Sequence, residues 1–410
     1  MKRFFCLLLV LCVLLTMAAP VGAEEQPNTF ADASQIRHSS QVLMLVDLGL
    51  ISGYSDGTFR PDACITRAEI AKLIALVSTA DPKAEGSVTF PDAAGNWAEP
   101  YIRYCAEKGI IAGSNGLFRP GDNVTAQELA KMLLIAVGRG SGYTGAGWAE
   151  AVNRDAESLG LYDGFESEYA TPVTRDDACL IIYNAMHCSA VAGKDADGSY
   201  LYALDDLMNP KSYLEVRFGL VRYTGVMTGN ECADLTAADG GKLDAGTTKL
   251  AGHKLFEVSS DLSLLGRTVD IFVQKGKVVG LPCLASGEIA QTFSQSQKLA
   301  DTLKTTGYRT TAETEYYSNF VRTDEKILDS LPAGALVTVV DHTGDKKIDV
   351  VLVTAFEKAS VVRVDPLTVL HGGTETAAKQ YCASDFFRPG DSALYTEIGG
   401  VGYVLAEQNP

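Results

Sequence analysis

The strongest constraint on this chain is an internal repeat with a constant offset. Gly57-Thr58-Phe59-Arg60-Pro61 returns as Gly116-Leu117-Phe118-Arg119-Pro120, and Ile65-Thr66-Arg67-Ala68-Glu69 returns as Val124-Thr125-Ala126-Gln127-Glu128, both 59 residues later. Upstream, Phe30-Ala31-Asp32 matches Phe90-Pro91-Asp92, and Gly49 to Gly53 matches Gly109 to Gly113. A looser third copy aligns Trp148-Ala149-Glu150 with Trp97-Ala98-Glu99, Gly160 to Gly164 with Gly109 to Gly113, and Thr174 with Thr125. Ile70, Leu73, Ile74 and Val77 fall on one helical face; Leu129, Met132, Leu133 and Ala136 repeat the stripe, as do Ala178, Ile181, Ile182 and Ala185. Each copy reads as helix, loop, helix. A single stripe on a short helix is buried only by its neighbours, so the three copies must share a core.

This order of motifs resembles the S-layer homology family. The carrying residues are Phe90-x-Asp92, Trp97-Ala98, Gly109-Ile110-Ile111-x-Gly113, the run Gly53 to Pro61, and the box Thr66-Arg67-Ala68-Glu69. The resemblance covers residues 28 to 190. It implies three repeats about a pseudo-threefold axis, forming a helical bundle. It also implies grooves that bind a secondary cell-wall polysaccharide, typically one ending in a pyruvylated amino sugar.

Thr66 with Glu69, and Thr125 with Glu128, have the spacing of a capping box before an apolar stripe, so helix capping is their first role. Arg67 and Arg175 are different. Each sits at a first helical position, where the macrodipole disfavours a cation by about 0.3–1 kcal/mol. A bound carboxylate would account for the placement, with guanidinium, dipole and open N–H groups converging on it. The competing reading pairs the arginine with an acid of a neighbouring copy, Asp32 or Asp92. Arg67 is the first candidate, grouped with Asp32, Glu69 and Gly53 of its own copy; Asp92, Glu128 and Gly113 are their equivalents. On this reading the helix gains nothing from Arg67, so its loss is expected to leave folding unchanged. Trp97 and Trp148 either stack on a sugar face or fill a repeat interface. Ala126 replaces the arginine in the second box and Arg37 stands at the Trp97 position of the first copy, so the grooves are expected to differ.

The N-terminus has the features of a secretory signal. Lys2 and Arg3 precede an apolar run from Phe4 to Ala18, and Val21-Gly22-Ala23 provides small residues before Glu24. The run is shorter than the roughly 20 residues a membrane-spanning helix needs. The formal charge of −16 becomes −18 once Lys2 and Arg3 leave. Such a surface repels nucleic acid and anionic membrane. The seven cysteines beyond residue 23 are odd in number and lack CxxC spacing, so neither a disulfide framework nor a zinc site is expected.

The resulting organisation is a signal peptide (1–23), repeats at 24–88, 89–141 and 142–190, a linker (191–213), and a β-rich region (214–410) of small barrel- or sandwich-like units. In that region the period switches to two. Hairpins are expected at 268–273 with 278–283, at 335–340 with 348–356, and at 393–397 with 401–406, each preceded by a glycine (Gly266, Gly334, Gly390). Residues 288–306 are expected to form a helix. Asp195-Ala196-Asp197-Gly198 and the series Asp341, Asp345, Asp349 lack the remaining ligands of a calcium loop, so no metal or cofactor is expected. No catalytic constellation is visible. The expectation is a secreted, wall-anchored bacterial surface protein that is not an enzyme, whose partners are the wall polysaccharide and other surface proteins. The alternative is an anchored polysaccharide hydrolase.

Overall fold

The computed structural model describes residues 30–82, 89–140, 142–237, 240–285, 288–294 and 306–407. The expected signal segment lies outside them. The first half holds three helix pairs. The first copy gives α1 (Ser39–Asp47) and α2 (Arg67–Ser78), the second α3 (Glu99–Glu107) and α4 (Ala126–Ala136), the third α5 (Trp148–Ser158) and α6 (Arg175–His187). The three stripes read from the sequence meet in one continuous core. Helices α2 and α4 open with complete capping boxes at Thr66/Glu69 and Thr125/Glu128. At α6 the Thr174 hydroxyl accepts from Asp177 N–H, but the shorter Asp177 carboxylate bonds that hydroxyl instead of the Thr174 backbone.

The pseudo-threefold axis is a ring of backbone hydrogen bonds. Ile65 N–H donates to Val173 C=O (3.1 Å), Val173 N–H to Val124 C=O (2.9 Å), and Val124 N–H to Ile65 C=O (3.1 Å). Each of these buried residues directly precedes a helix N-cap. The neighbouring copy then supplies acceptors for the first helical N–H groups. Arg67 and Ala68 N–H bond Asp122 and Pro120 C=O, Ala126 and Gln127 bond Thr171 and Tyr169, and Arg175 and Asp176 bond Ala63 and Pro61. Four N–H groups at each helix start need partners; here two come from the next repeat.

The second half forms three open sheets, each contiguous in the chain. The expected linker is itself folded: β1 (Val191–Lys194) and β2 (Tyr200–Tyr202) make a hairpin, and Ser212 caps the short α7 (Tyr213–Phe218). Asp195 receives the N–H groups of Asp197 and Ser199 and so shapes the hairpin tip. The first sheet contains β3 (Val221–Asn230), β4 (Thr248–Leu250), β5 (Leu255–Phe256), β6 (Thr268–Gln274) and β7 (Lys277–Leu284), in the order β5-β4-β3-β6-β7. The second contains β8 (Ile289–Ser294), β9 (Glu315–Ser318), β10 (Val321–Thr323), β11 (Leu336–Asp341) and β12 (Val350–Thr354), in the order β10-β9-β12-β11-β8. The third contains β13 (Glu357–Val364), β14 (Leu367–His371), β15 (Thr374–Ala377), β16 (Lys379–Gln380), β17 (Ser392–Ile398) and β18 (Val401–Ala406), in the order β15-β14-β13-β17-β18-β16.

All three expected hairpins form, as β6–β7, β11–β12 and β17–β18. Each pairs antiparallel with the strand that opens its sheet, β3, β8 or β13. Gly266, Gly334 and Gly390 all take positive φ just before the hairpins, a region that glycine enters without a Cβ clash. No sheet closes into a barrel among the described residues. The start of the helix expected at 288–306 is a strand instead: alternating Ile289-Ala290-Gln291-Thr292-Phe293 pairs with β11 as β8, while 295–305 lies outside the described residues. The Asp341 carboxylate is taken up by the N–H groups of Thr343, Gly344 and Lys346, so it builds the turn. The seven cysteines within the described residues are free thiols, and burial pushes Cys105 up to about 12.

The halves are joined through α1. Asp47 accepts the Gly280 N–H of β7 (2.8 Å), the Met44 side chain lies against Gly280, and Ser39 donates to Ala383 C=O (3.4 Å). From α7, Arg217 donates to Leu76 and Val77 C=O and closes the end of α2.

Close packing of the repeats gives one direct test. A Cβ on Gly113 would lie 2.5 Å from the Phe90 ring and 2.6 Å from Leu117 C=O, whereas one on Gly121 meets nothing within 4 Å. Gly113→Ala is expected to destabilise by about 1–3 kcal/mol in urea unfolding, with Gly121→Ala within about 0.5 kcal/mol of the parent.

Candidate functional site

The cyclic arrangement makes three seams, each built from three copies. In the first, the Leu50–Tyr54 loop and α2 residues Glu69, Lys72 and Leu73 face Trp97 of the second copy and Arg175 of the third, around a groove of about 200 Å³. In the second, Gly109–Ala112 and α4 residues Glu128, Lys131 and Met132 face Trp148 of the third copy and Arg67 of the first, around about 290 Å³. The two grooves repeat one set: arginine, glutamate, lysine, tryptophan.

The guanidinium groups are held alike. Arg67 Nε donates to Phe118 C=O (2.9 Å) and Nη2 to Ala112 C=O (3.0 Å). Arg175 Nε donates to Phe59 C=O (2.9 Å) and Nη2 to Ser52 C=O (3.2 Å). Each also lies near the phenylalanine ring of that turn, at 4.6 and 4.9 Å. Burial lowers the pKa of Arg67, but a guanidinium stays charged. Neither arginine pairs with Asp32 or Asp92. Those carboxylates cap the Gly-x-Phe-Arg-Pro turns: Asp32 receives Phe59 and Arg60 N–H, Asp92 receives Phe118 and Arg119 N–H. They shape the carbonyls that hold the arginines and do not line a groove.

Several expectations change here. Arg67 does not share a groove with Glu69 and Gly53 of its own copy, because each helix start inserts into the next copy. Gly53 lines the first groove. Gly113 is not among the residues lining the second, and instead packs against Phe90. The first helical N–H groups are bonded to neighbouring carbonyls, so an anion would be met by side chains. Arg67 and Arg175 each satisfy two backbone carbonyls, so they do contribute to the fold. Sequence reasoning missed Lys72 and Lys131. Their signal was present: both follow the box glutamate by three residues, on the same helical face. The Lys131 ammonium lies 4.9 Å over the Trp148 ring, while Trp97 is 59% exposed at its rim.

The third seam is built from different residues. Ala126 stands in the arginine position and Leu180 in the lysine position. Arg37 replaces the tryptophan, and its guanidinium bonds Asp177 (3.1 Å) and approaches Asp176 (3.4 Å). His38 lies 3.4 Å from Asp177, and the fully buried Asp176 receives the N–H groups of Arg37 and His38. This cluster ties α1 to α6.

Removing either groove arginine leaves two carbonyls unpaired. Arg67→Ala and Arg175→Ala are each expected to lower stability by about 1–3 kcal/mol in chemical unfolding, the larger loss at Arg175, which is 5% exposed.

Residues 29–71 and 89–130 match the S-layer homology domain. Similar proteins include the surface-layer 125 kDa protein of Lysinibacillus sphaericus, 30% identical over 197 residues, which are 44% of this chain and 16% of that protein. An uncharacterized cell wall amidase of Bacillus anthracis is 30% identical over 121 residues, 29% of this chain and 22% of the amidase. An exoglucanase of Acetivibrio thermocellus is 25% identical over 193 residues, 43% and 18% of the two chains. The chain thus spans about a fifth or less of the length of two of these relatives and slightly more of the amidase.

Proposed function

We propose that this S-layer-homology-domain protein is held on a bacterial cell wall by saccharide binding in the Arg67 and Arg175 grooves. It is a secreted surface protein, and its repeats form the anchor. The observation that carries the reading is that arginine, lysine and tryptophan from different copies converge twice, at separate grooves, with the same local geometry. A guanidinium held by two carbonyls and a nearby ammonium suit an anionic saccharide. The exposed Trp97 ring suits the apolar face of a sugar. The ligand this chemistry favours is an acidic cell-wall polysaccharide, and the family resemblance directs the choice to a pyruvylated amino sugar, which presents a carboxylate beside a methyl group. The third seam holds an internal ion pair of Arg37 with Asp176 and Asp177, and on this reading it serves the fold.

The three sheets we read as an interaction or spacer module carried by the anchor, without catalytic activity. The relatives that are enzymes share the repeat region with this chain, so their activities do not favour a hydrolase here.

The test is sedimentation of the mature chain with purified sacculi, before and after chemical extraction of the wall polysaccharide. Binding is expected before extraction and not after. Trp97→Ala, at an exposed position, is expected to leave the melting temperature unchanged and weaken binding by about 1–2 kcal/mol, roughly five- to thirtyfold. Equal sedimentation with extracted sacculi would overturn the reading.

A further inference from the structure

The two open grooves share their residue types but not their charge pairing. In the first, Glu69 Oε1 receives the Tyr54 hydroxyl (2.9 Å) and lies 3.4 Å from Arg175 Nη1. The arginine therefore has a built-in counter-ion that a tyrosine fixes in place. In the second, Ser114 stands where Tyr54 would be. Glu128 also lines this groove and its charge acts on Arg67, but its Oε2 atom serves the capping box, and among the described residues Arg67 has no carboxylate within ion-pair distance and no hydrogen bond at Nη1. Burial works against ionisation of Glu69, but bonds from Thr66 and Tyr54 and the Arg175 charge outweigh it and hold its pKa below the usual 4.5. Glu69 is accordingly charged at neutral pH.

An incoming carboxylate at the first groove must displace Glu69 or sit beside it, and like charges at that range repel. At the second groove Glu128 stands beyond ion-pair distance of Arg67, and the incoming carboxylate meets a guanidinium edge whose Nη1 is open. We infer that Glu69 holds the Arg175 groove out of anion capture, so that the acidic sugar is taken at the Arg67 groove alone. This rests on the saccharide-anchoring reading above. The first groove, with Tyr54, Trp97 and the Glu69 carboxylate, is left to contact neutral, hydroxyl-rich sugar units of the same polymer.

The experiment is calorimetric titration of the mature chain with a monosaccharide probe, the pyruvate ketal of an N-acetylated amino sugar. The parent is expected to bind one equivalent. Arg67→Gln should weaken binding about tenfold or more. Glu69→Gln keeps the cap, since glutamine serves at that position, and should raise the stoichiometry to two. The double variant Arg67→Gln/Glu69→Gln should again bind one equivalent, now at Arg175. Tyr54→Phe, which spares the cap, should move the parent in the same direction as Glu69→Gln, and this decides the matter if Glu69→Gln lowers the melting temperature. Two equivalents in the parent, or a folded double variant that binds none while the parent binds one, would overturn the inference and leave the anchoring reading intact. Failure of all these proteins to bind the probe would count against the acidic-sugar reading itself.

Discussion

Three backbone hydrogen bonds, Ile65 to Val173, Val173 to Val124 and Val124 to Ile65, fix everything else in the anchor. They are buried and so must be made. Together they place three helix starts around one point. Once Ile65, Val124 and Val173 are tied, the first N–H groups of each helix can reach only the loop of the adjacent copy. That geometry inserts Arg67 into the second copy and Arg175 into the first. The grooves are thus a by-product of how orphan helix-start donors are satisfied. The Asp32 and Asp92 carboxylates act one step earlier, by bending the Phe-Arg-Pro turns so that Phe59 and Phe118 offer their carbonyls to the arginines.

A cation at a helix start is locally unfavourable, and the structure offsets this without any ligand. Each guanidinium lies over a phenylalanine ring and donates to two carbonyls, where partial negative charge is concentrated. Desolvation of the charge is thereby partly compensated, as a buried cation requires. One edge of Arg67 is left over for other work, while the corresponding edge of Arg175 turns toward Glu69. A position can therefore be structural and ligand-facing together, and a stability effect at these arginines does not argue against binding.

Much of the fold was legible because the periods were clean. The three apolar stripes, both capping boxes and all three glycine-led hairpins follow from spacing alone. What spacing did not convey was which copies meet. A repeat read along the chain groups Arg67 with Glu69 and Gly53, whereas the ring rotates each helix start into its neighbour. Residues 289–294 were misread for another reason. Ile289 to Ser294 is a short alternating run, and nothing local told whether β11 would offer it an edge. The 191–213 segment read as a linker because part of its order comes from a distant partner, with Arg139 donating to the Tyr202 hydroxyl and accepting from the Tyr200 hydroxyl.

The third seam shows what the same position becomes when its three key residues change. Replacing arginine by Ala126, lysine by Leu180 and tryptophan by Arg37 reverses its polarity, and Asp176 and Asp177 then find their cation inside the protein. That seam joins α1 to α6, and α1 is also the helix on which β7 rests through Asp47 and Gly280. The seam filled by the Arg37 cluster therefore shares α1 with a contact that carries the first sheet, alongside those that Arg217 makes to the end of α2 and His187 to Phe272. With a tryptophan in place of Arg37 the two buried aspartates would lose their guanidinium and keep the Arg37 and His38 N–H groups, the His38 ring and the Thr174 hydroxyl. The same helix thus closes the ring of repeats onto α6 and supports a strand of the first sheet.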